Sequence, residues 1–147
     1  MFNSARSNVS CLKILGFVSL VCCAAGAANA AEPLLTVKQV MNSVITPSTN
    51  IIWGAYQLET QAQWKEIENA ALAVIAAANL LQMGGRGDEE MVIAQQAQWQ
   101  RFTSQMIAAS EKVLIAVAAK DEEALAAAGN DDLCHPCESC HQKYQSK

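Results

Sequence analysis

The sequence is poor in aromatic residues, in positive charge and in recognisable catalytic motifs. Aromatic side chains make up 5% of the 147 residues, whereas alanine is abundant. Alanine favours helix and lets helices approach closely, so the composition predicts an all-α domain. The length fits one domain with a single core. No stretch beyond the N-terminus is apolar over enough residues to predict a transmembrane helix.

The shortage of positive charge argues against nucleic acid as a partner. The formal net charge is −4, and it becomes −6 once residues 1–30, which carry two basic and no acidic residues, are removed. A phosphate backbone selects basic surfaces, so this balance disfavours DNA and RNA binding. The same charge helps to keep a protein dispersed in water.

The sequence also lacks the usual signs of an enzyme. It shows no pair of carboxylates placed for acid–base chemistry and no nucleophile beside a base. The glycine-rich segment 84–87 follows a helical pattern rather than a strand, so it predicts a turn and not a phosphate-binding loop. We therefore predict no catalytic residues.

The first thirty residues have the pattern of a signal peptide. Arg6 and Lys13 supply positive charge, residues 14–28 form a short apolar run, and Ala28-Asn29-Ala30 matches an A-x-A cleavage site. Cleavage there makes residues 31–147 the mature domain, exported to the bacterial periplasm without a membrane span. Two alternatives are a retained membrane anchor, for which the run is short, and a lipoprotein modified at Cys23.

The mature chain keeps three of the six cysteines, all within a span of seven residues. Cys11, Cys22 and Cys23 lie in the predicted signal peptide, which leaves Cys134, Cys137 and Cys140. An odd number of closely spaced cysteines is a poor disulfide framework, because it cross-links nothing distant. Clustered cysteines beside histidines in an exported protein indicate a cofactor or metal.

The first two helices are predicted over residues 36–56 and from Thr60 to the glycine-rich turn. Pro47 interrupts the first and is expected to kink or restart it. Thr60 and Gln63 form a capping box. The apolar stripe of the first helix comprises Val37, Val40, Met41, Val44, Ile51 and Ile52. That of the second comprises Trp64, Ile67, Ala71, Val74, Ala78 and Leu81.

Two further helices are predicted, one from Asp88 to Lys120 and one that begins at residues 121–123. The third carries the stripe Trp99, Phe102, Met106, Ala109, Val113 and Ala116, and the fourth shares a face among Leu133, Cys137, Cys140 and Tyr144. The aromatic residues of these stripes, such as Trp64 and Phe102, are predicted in the core. Four amphipathic helices with short links predict an antiparallel four-helix bundle.

The chemistry lies in the segment Cys137-Glu138-Ser139-Cys140-His141. This is C-x-x-C-H, the attachment pattern of c-type haem. Cysteines three apart on a helix share a face, so both sulfurs can reach the two vinyl groups of one porphyrin, and His141 follows on the same face. The alternative is a zinc or copper site built from Cys134, Cys137, Cys140 and His135 or His141. An iron–sulfur cluster lacks its fourth cysteine.

These features resemble the class II c-type cytochromes, the family of cytochrome c′ and its low-spin relatives. The resemblance rests on C-x-x-C-H near the C-terminus of the last helix, with Lys143 and Tyr144 after it. It implies one covalent haem c on Cys137 and Cys140, with His141 on the iron. In low-spin relatives an early methionine is the sixth ligand, and Met41 stands in that place. The alternative for Met41 is a plain core methionine.

The family offers two functions that depend on Met41. With Met41 bound to iron, the chain is expected to carry electrons between redox partner proteins; with an open sixth position it would bind gases as cytochrome c′ does. Dimers formed through the first two helices are common in the family, so a homodimer is a further expectation. The segment Cys134-His135-Pro136 departs from the pattern, and Pro136 is expected to kink or restart the last helix. His135 is expected in solvent, with iron ligation as its alternative.

Overall fold

The computed structural model describes residues 32–145, and within them every regular element is helical. There are five helical segments and no strand in this part of the chain. The bounds are 37–53 for α1, Gln61–Gln82 for α2, Asp88–Ala94 for α3, Ala97–Ala119 for α4 and 122–144 for α5. The prediction of an all-α domain is confirmed. The predicted signal peptide lies outside the described residues.

The predicted third helix is two helices, which is the main difference in element order. Gln95 ends α3, and Gln96 adopts an extended backbone before α4 begins. The side-chain amide of Gln100 donates to the carbonyl oxygens of Ala94 and Gln82, both at 2.7 Å. The break therefore has a polar partner for the Ala94 carbonyl, and the same side chain links α4 to the end of α2.

Helix starts follow the sequence signals closely. The Thr60 hydroxyl accepts from the Gln63 backbone N–H while the Gln63 side chain accepts from the Thr60 N–H, which confirms the capping box of α2. Asp121 caps α5 by accepting from the Ala124 N–H. Lys120 ends α4 with a left-handed φ of 53°.

Both helices that contain a proline pass through a wider, π-helical turn before it. In α1, α-helical Val37–Val40 is followed by π-helical Met41–Ile45 and then by α-helical Thr46–Trp53, with Pro47 at its start. Proline has no N–H to bond the carbonyl four residues earlier, and its ring collides with that carbonyl. A turn closed by i→i+5 bonds moves that carbonyl aside and lets the helix continue.

The last helix repeats this arrangement. Glu122–Ala126 is α-helical, Ala127–Leu133 is π-helical, and Cys134–Tyr144 is α-helical again with Pro136 in its first turn. The sequence allowed either a kink or a restart at Pro136. In the structure the α-helix restarts with Pro136 in its first turn, and the π-helical turn before it keeps the backbone helical throughout.

The core lies mainly between α2 and α4. Trp64, Val74 and Leu81 of α2 are buried, as are Phe102 and Val113 of α4. The predicted core positions of Trp64 and Phe102 are confirmed.

The sequence pattern wrongly assigned one residue to the buried apolar stripe of α1. Ile51 is exposed, whereas Val40 and Ile52 are buried. Ile51 follows the π-helical turn, which displaces later residues around the helix and moves Ile51 off the buried side.

Helix α4 corrects the expectation that no stretch beyond the N-terminus is apolar over enough residues to predict a transmembrane helix. By length and composition alone, Ala97–Ala119 is apolar enough to cross a membrane, and it is the one such helix among residues 32–145. The core helix of a globular domain meets the same criterion. Here α4 buries Trp99, Phe102 and Met106 inside the protein.

The turn between α2 and α3 contacts the start of α1. The Arg86 N–H donates to the Leu35 carbonyl at 2.8 Å, and the Glu90 carboxylate accepts from the Val37 N–H at 2.9 Å. A Cβ on Gly85 would meet that carboxylate and would lie 2.6 Å from the Val37 backbone nitrogen, which cannot move aside as a side chain can, so glycine is required for this close approach. The glycine-rich segment is a turn, as predicted, and it contacts another part of the fold.

Candidate functional site: a cavity beside the cysteine cluster

A cavity of about 740 Å³ lies between α1, α4 and α5. Helix α1 contributes Met41, Ile45, Thr46, Thr49 and Trp53, and α4 contributes Met106. Helix α5 contributes Cys134, Cys137, Glu138, Cys140, His141 and Gln142, and Gln145 follows it. All four predicted haem-site residues, Met41, Cys137, Cys140 and His141, therefore line one cavity.

The two motif cysteines sit on the inner side of α5. Cys140 is buried and Cys137 is partly buried against the core, together with Leu133 and Tyr144 as predicted. Cysteines three apart on an α-helix face the same way. His141 is exposed at the edge of the same cavity.

Burial makes both motif thiols harder to ionise than a thiol in water, because it raises the pKa of each. It raises the pKa of Cys137 from 9.0 to about 11, and the nearby Cys134 and Cys140 add to the shift because a second or third thiolate would repel the first. Burial likewise raises the pKa of the Cys140 thiol. The cavity side of α5 therefore presents neutral thiols, with the carboxylate of Glu138 beside them.

Met41 reaches the cavity from the opposite helix. It begins the π-helical turn of α1 and is partly buried against the core. Ile45, Thr49 and Trp53 follow it at intervals of four residues and line the same cavity. This spacing was available in the sequence, but the more apolar stripe through Val40 and Val44 concealed it.

Met106 is a cavity residue that the sequence did not single out. It was predicted as a member of the core stripe of α4, and it is buried, but it also lines the cavity. Two thioethers, Met41 and Met106, thus face the space beside the cysteine cluster. Only the arrangement of α1, α4 and α5 around the cavity shows this.

A direct contact ties the two proline-containing helices together at the cavity. The Trp53 indole N–H donates to the Gly129 carbonyl at 2.9 Å. Gly129 is buried, and a Cβ there would lie 3.0 Å from the Ile52 side chain. The missing side chain lets α1 approach the π-helical turn of α5.

Cys134 and His135, which depart from the pattern of the family that the sequence resembles, face different sides of α5. Cys134 is exposed and lines the cavity, whereas His135 is exposed and lies away from it. The expectation that His135 is solvated is confirmed. Among residues 32–145, no three His, Cys, Asp or Glu side chains come together as a metal site.

Comparison with known proteins gives no relative. No family model, no curated protein and no solved structure matches this chain.

Proposed function

We propose that this protein is a periplasmic monohaem cytochrome c that carries electrons, with the haem c attached to Cys137 and Cys140. The observation that carries the proposal is the single cavity lined by both cysteines, by His141 and by Met41 from the opposite helix. Its redox partners are other proteins, and the signal-peptide pattern of residues 1–30 supports export.

The residues around the cavity fit a haem. Its volume of about 740 Å³ falls in the range of cofactor pockets. Two thiols on one helical face match two thioether bonds, His141 supplies an imidazole, and the walls include the apolar side chains of Ile45 and Met106. Bound there, a haem would supply one-electron chemistry at its iron.

The fold proposed with this function is an antiparallel four-helix bundle, in which α3 and α4 count as one member. Hydrogen bonds between helix ends support it. The Trp99 indole at the start of α4 donates to Leu81 at the end of α2 at 2.6 Å. Tyr144 at the end of α5 donates to Gln96 before α4 at 2.8 Å. Such end-to-start contacts are typical of neighbouring antiparallel helices.

Met41 decides between the two haem functions. Met41 and His141 would both hold the iron of a bound haem, which would keep six ligands in both oxidation states and have a raised potential, as suits electron transfer. Met41 lines the cavity from across the bundle, on a different helix from His141. This placement supports electron transfer over gas binding.

The test of haem attachment is the intact mass of the exported protein made together with a haem-attachment system. We expect one covalent haem on the wild type, and loss of attachment when both Cys137 and Cys140 are replaced by serine. Cys134→Ser is the matched control, because it removes a thiol of the same cavity outside the motif. A wild-type mass equal to the bare polypeptide contradicts the proposal.

A further inference from the structure

A second cavity lies on another side of α5, between it and α4. Its volume is about 570 Å³. Helix α4 lines it with Gln98, Arg101, Phe102 and Gln105. Helix α5 lines it with His135, Ser139, Gln142 and Lys143. We call it the basic groove; it shares only Gln142 with the haem cavity.

The basic groove is positive in a chain that is negative overall. Arg101 and Lys143 line it and no Asp or Glu does, although the chain carries a net charge of −4. Within residues 32–145 the ion pairs are Lys65 with Glu68 and Lys112 with Asp132, so neither groove cation is neutralised by a carboxylate. Two uncompensated cations in one concave site attract anions.

Both cations are positioned by aromatic rings. The Arg101 guanidinium lies 5.6 Å from the centroid of the Phe102 ring, and the Lys143 ammonium lies 5.3 Å from that of Tyr144. Tyr144 packs edge-on against Trp99, with 5.1 Å between ring centroids. Lys143 also donates to the Gln98 side chain. Cation–π contacts of this kind limit the motion of both charges before any ligand binds.

Neutral donors complete the groove. The side-chain amide of Gln105 and the hydroxyl of Ser139 line it, and so does the amide of Gln142, which also donates to the Glu138 carboxylate at 3.3 Å. A planar guanidinium, an ammonium and several N–H or O–H donors are the groups that proteins use to bind carboxylate and phosphate oxygens. We propose that the basic groove binds a small dianion bearing carboxylate or phosphate groups, independently of whether haem is attached.

Isothermal titration calorimetry of the exported protein at low ionic strength tests this, with inorganic phosphate and succinate as separate probes. We expect one site for at least one of them, and the tighter probe identifies the ligand group. Arg101→Gln and Lys143→Gln should each weaken binding at least about tenfold, which corresponds to about 1.4 kcal/mol, since each removes a charge-assisted hydrogen bond to the anion. Both side chains are exposed, so the fold should tolerate the changes.

Lys65→Gln is the matched control, because it removes the same charge from an exposed position outside the groove. It should leave the affinity within about twofold of the wild type, since remote exposed charges are screened. The proposal is overturned if neither anion binds, if the two groove variants bind as the wild type does, or if Lys65→Gln weakens binding equally. The haem content of all variants should match the wild type, which separates this result from the proposed function.

Discussion

Met41 is the residue on which the choice of function depends. We expect Met41→Ala to change the haem protein from a low-spin to a high-spin absorption spectrum, because it removes the proposed sulfur ligand. The reduced variant should then bind carbon monoxide rapidly, whereas the wild type should resist it. A weak sulfur-to-iron band in the near infrared of the ferric wild type should disappear.

Met106→Leu is the control for this experiment, since it changes the other thioether of the cavity and nearly preserves volume. It should keep the low-spin spectrum. If the wild type is already high-spin and binds carbon monoxide rapidly, Met41 is a core residue and the gas-binding function takes precedence.

The three thiols should differ in reactivity before haem is attached. Thiolate is the reactive form, so burial that raises the pKa of Cys137 to about 11 should make it slow towards iodoacetamide at pH 8. Its rate should rise with pH up to about that pKa, as the thiol loses its proton. Exposed Cys134 should react first. Peptide mass mapping of haem-free protein checks the order, and equal labelling of all three contradicts it.

The residues of the motif were predictable because they are adjacent in sequence. Spacing alone placed Cys137, Cys140 and His141 on one helix near one another. Met106 could not be assigned to the site in the same way, because its position there depends on how α4 packs against two other helices.

At the scale of helices, the contact of Trp53 with Gly129 holds α1 against α5. Trp53→Phe removes the donor and leaves the carbonyl of buried Gly129 without it. We expect the free energy of unfolding to fall by about 1 kcal/mol, as for other lost hydrogen bonds. Urea denaturation followed by circular dichroism measures the change.

Tyr56→Phe is the comparison for that variant, because Tyr56 is three-quarters exposed and its hydroxyl makes no hydrogen bond within residues 32–145. Its stability should match the wild type. Equal stability of Trp53→Phe and wild type would show that this contact contributes nothing.

Helix starts were predicted better than helix interiors. The Thr60 and Gln63 pair is a local signal that acts within four residues, so the sequence contained it in full. The break at Gln95 and Gln96 has no proline or glycine to announce it. The Gln100 side chain beside it donates to the distant Gln82 carbonyl, a contact that no local pattern contains.

For the whole molecule, α5 separates two environments. The cavity beside the cysteine cluster, in which we propose that haem binds, lies on one side with the thiols, two methionines and Glu138. The basic groove lies on another side, with Arg101 and Lys143. Gln142 borders both. The two sites therefore present different chemistry to solvent. A substitution in the lining of one site, other than at Gln142, leaves the lining of the other unchanged.

The two π-helical turns affect how this chain can vary in length. A turn closed by i→i+5 bonds takes up one residue more than an α-helical turn, and one residue corresponds to a rotation of about 100° about the helix axis. Deletion of one residue from Met41–Ile45 or Ala127–Leu133 would therefore convert the π-helical turn to an α-helical turn and leave the later residues at nearly the same angle about the helix axis. Thr49 and Trp53, or Cys137 and His141, would then still face the cavity, whereas the same deletion in an α-helical stretch would rotate them away. A one-residue gap in either segment of a related sequence should therefore leave the composition of the site unchanged.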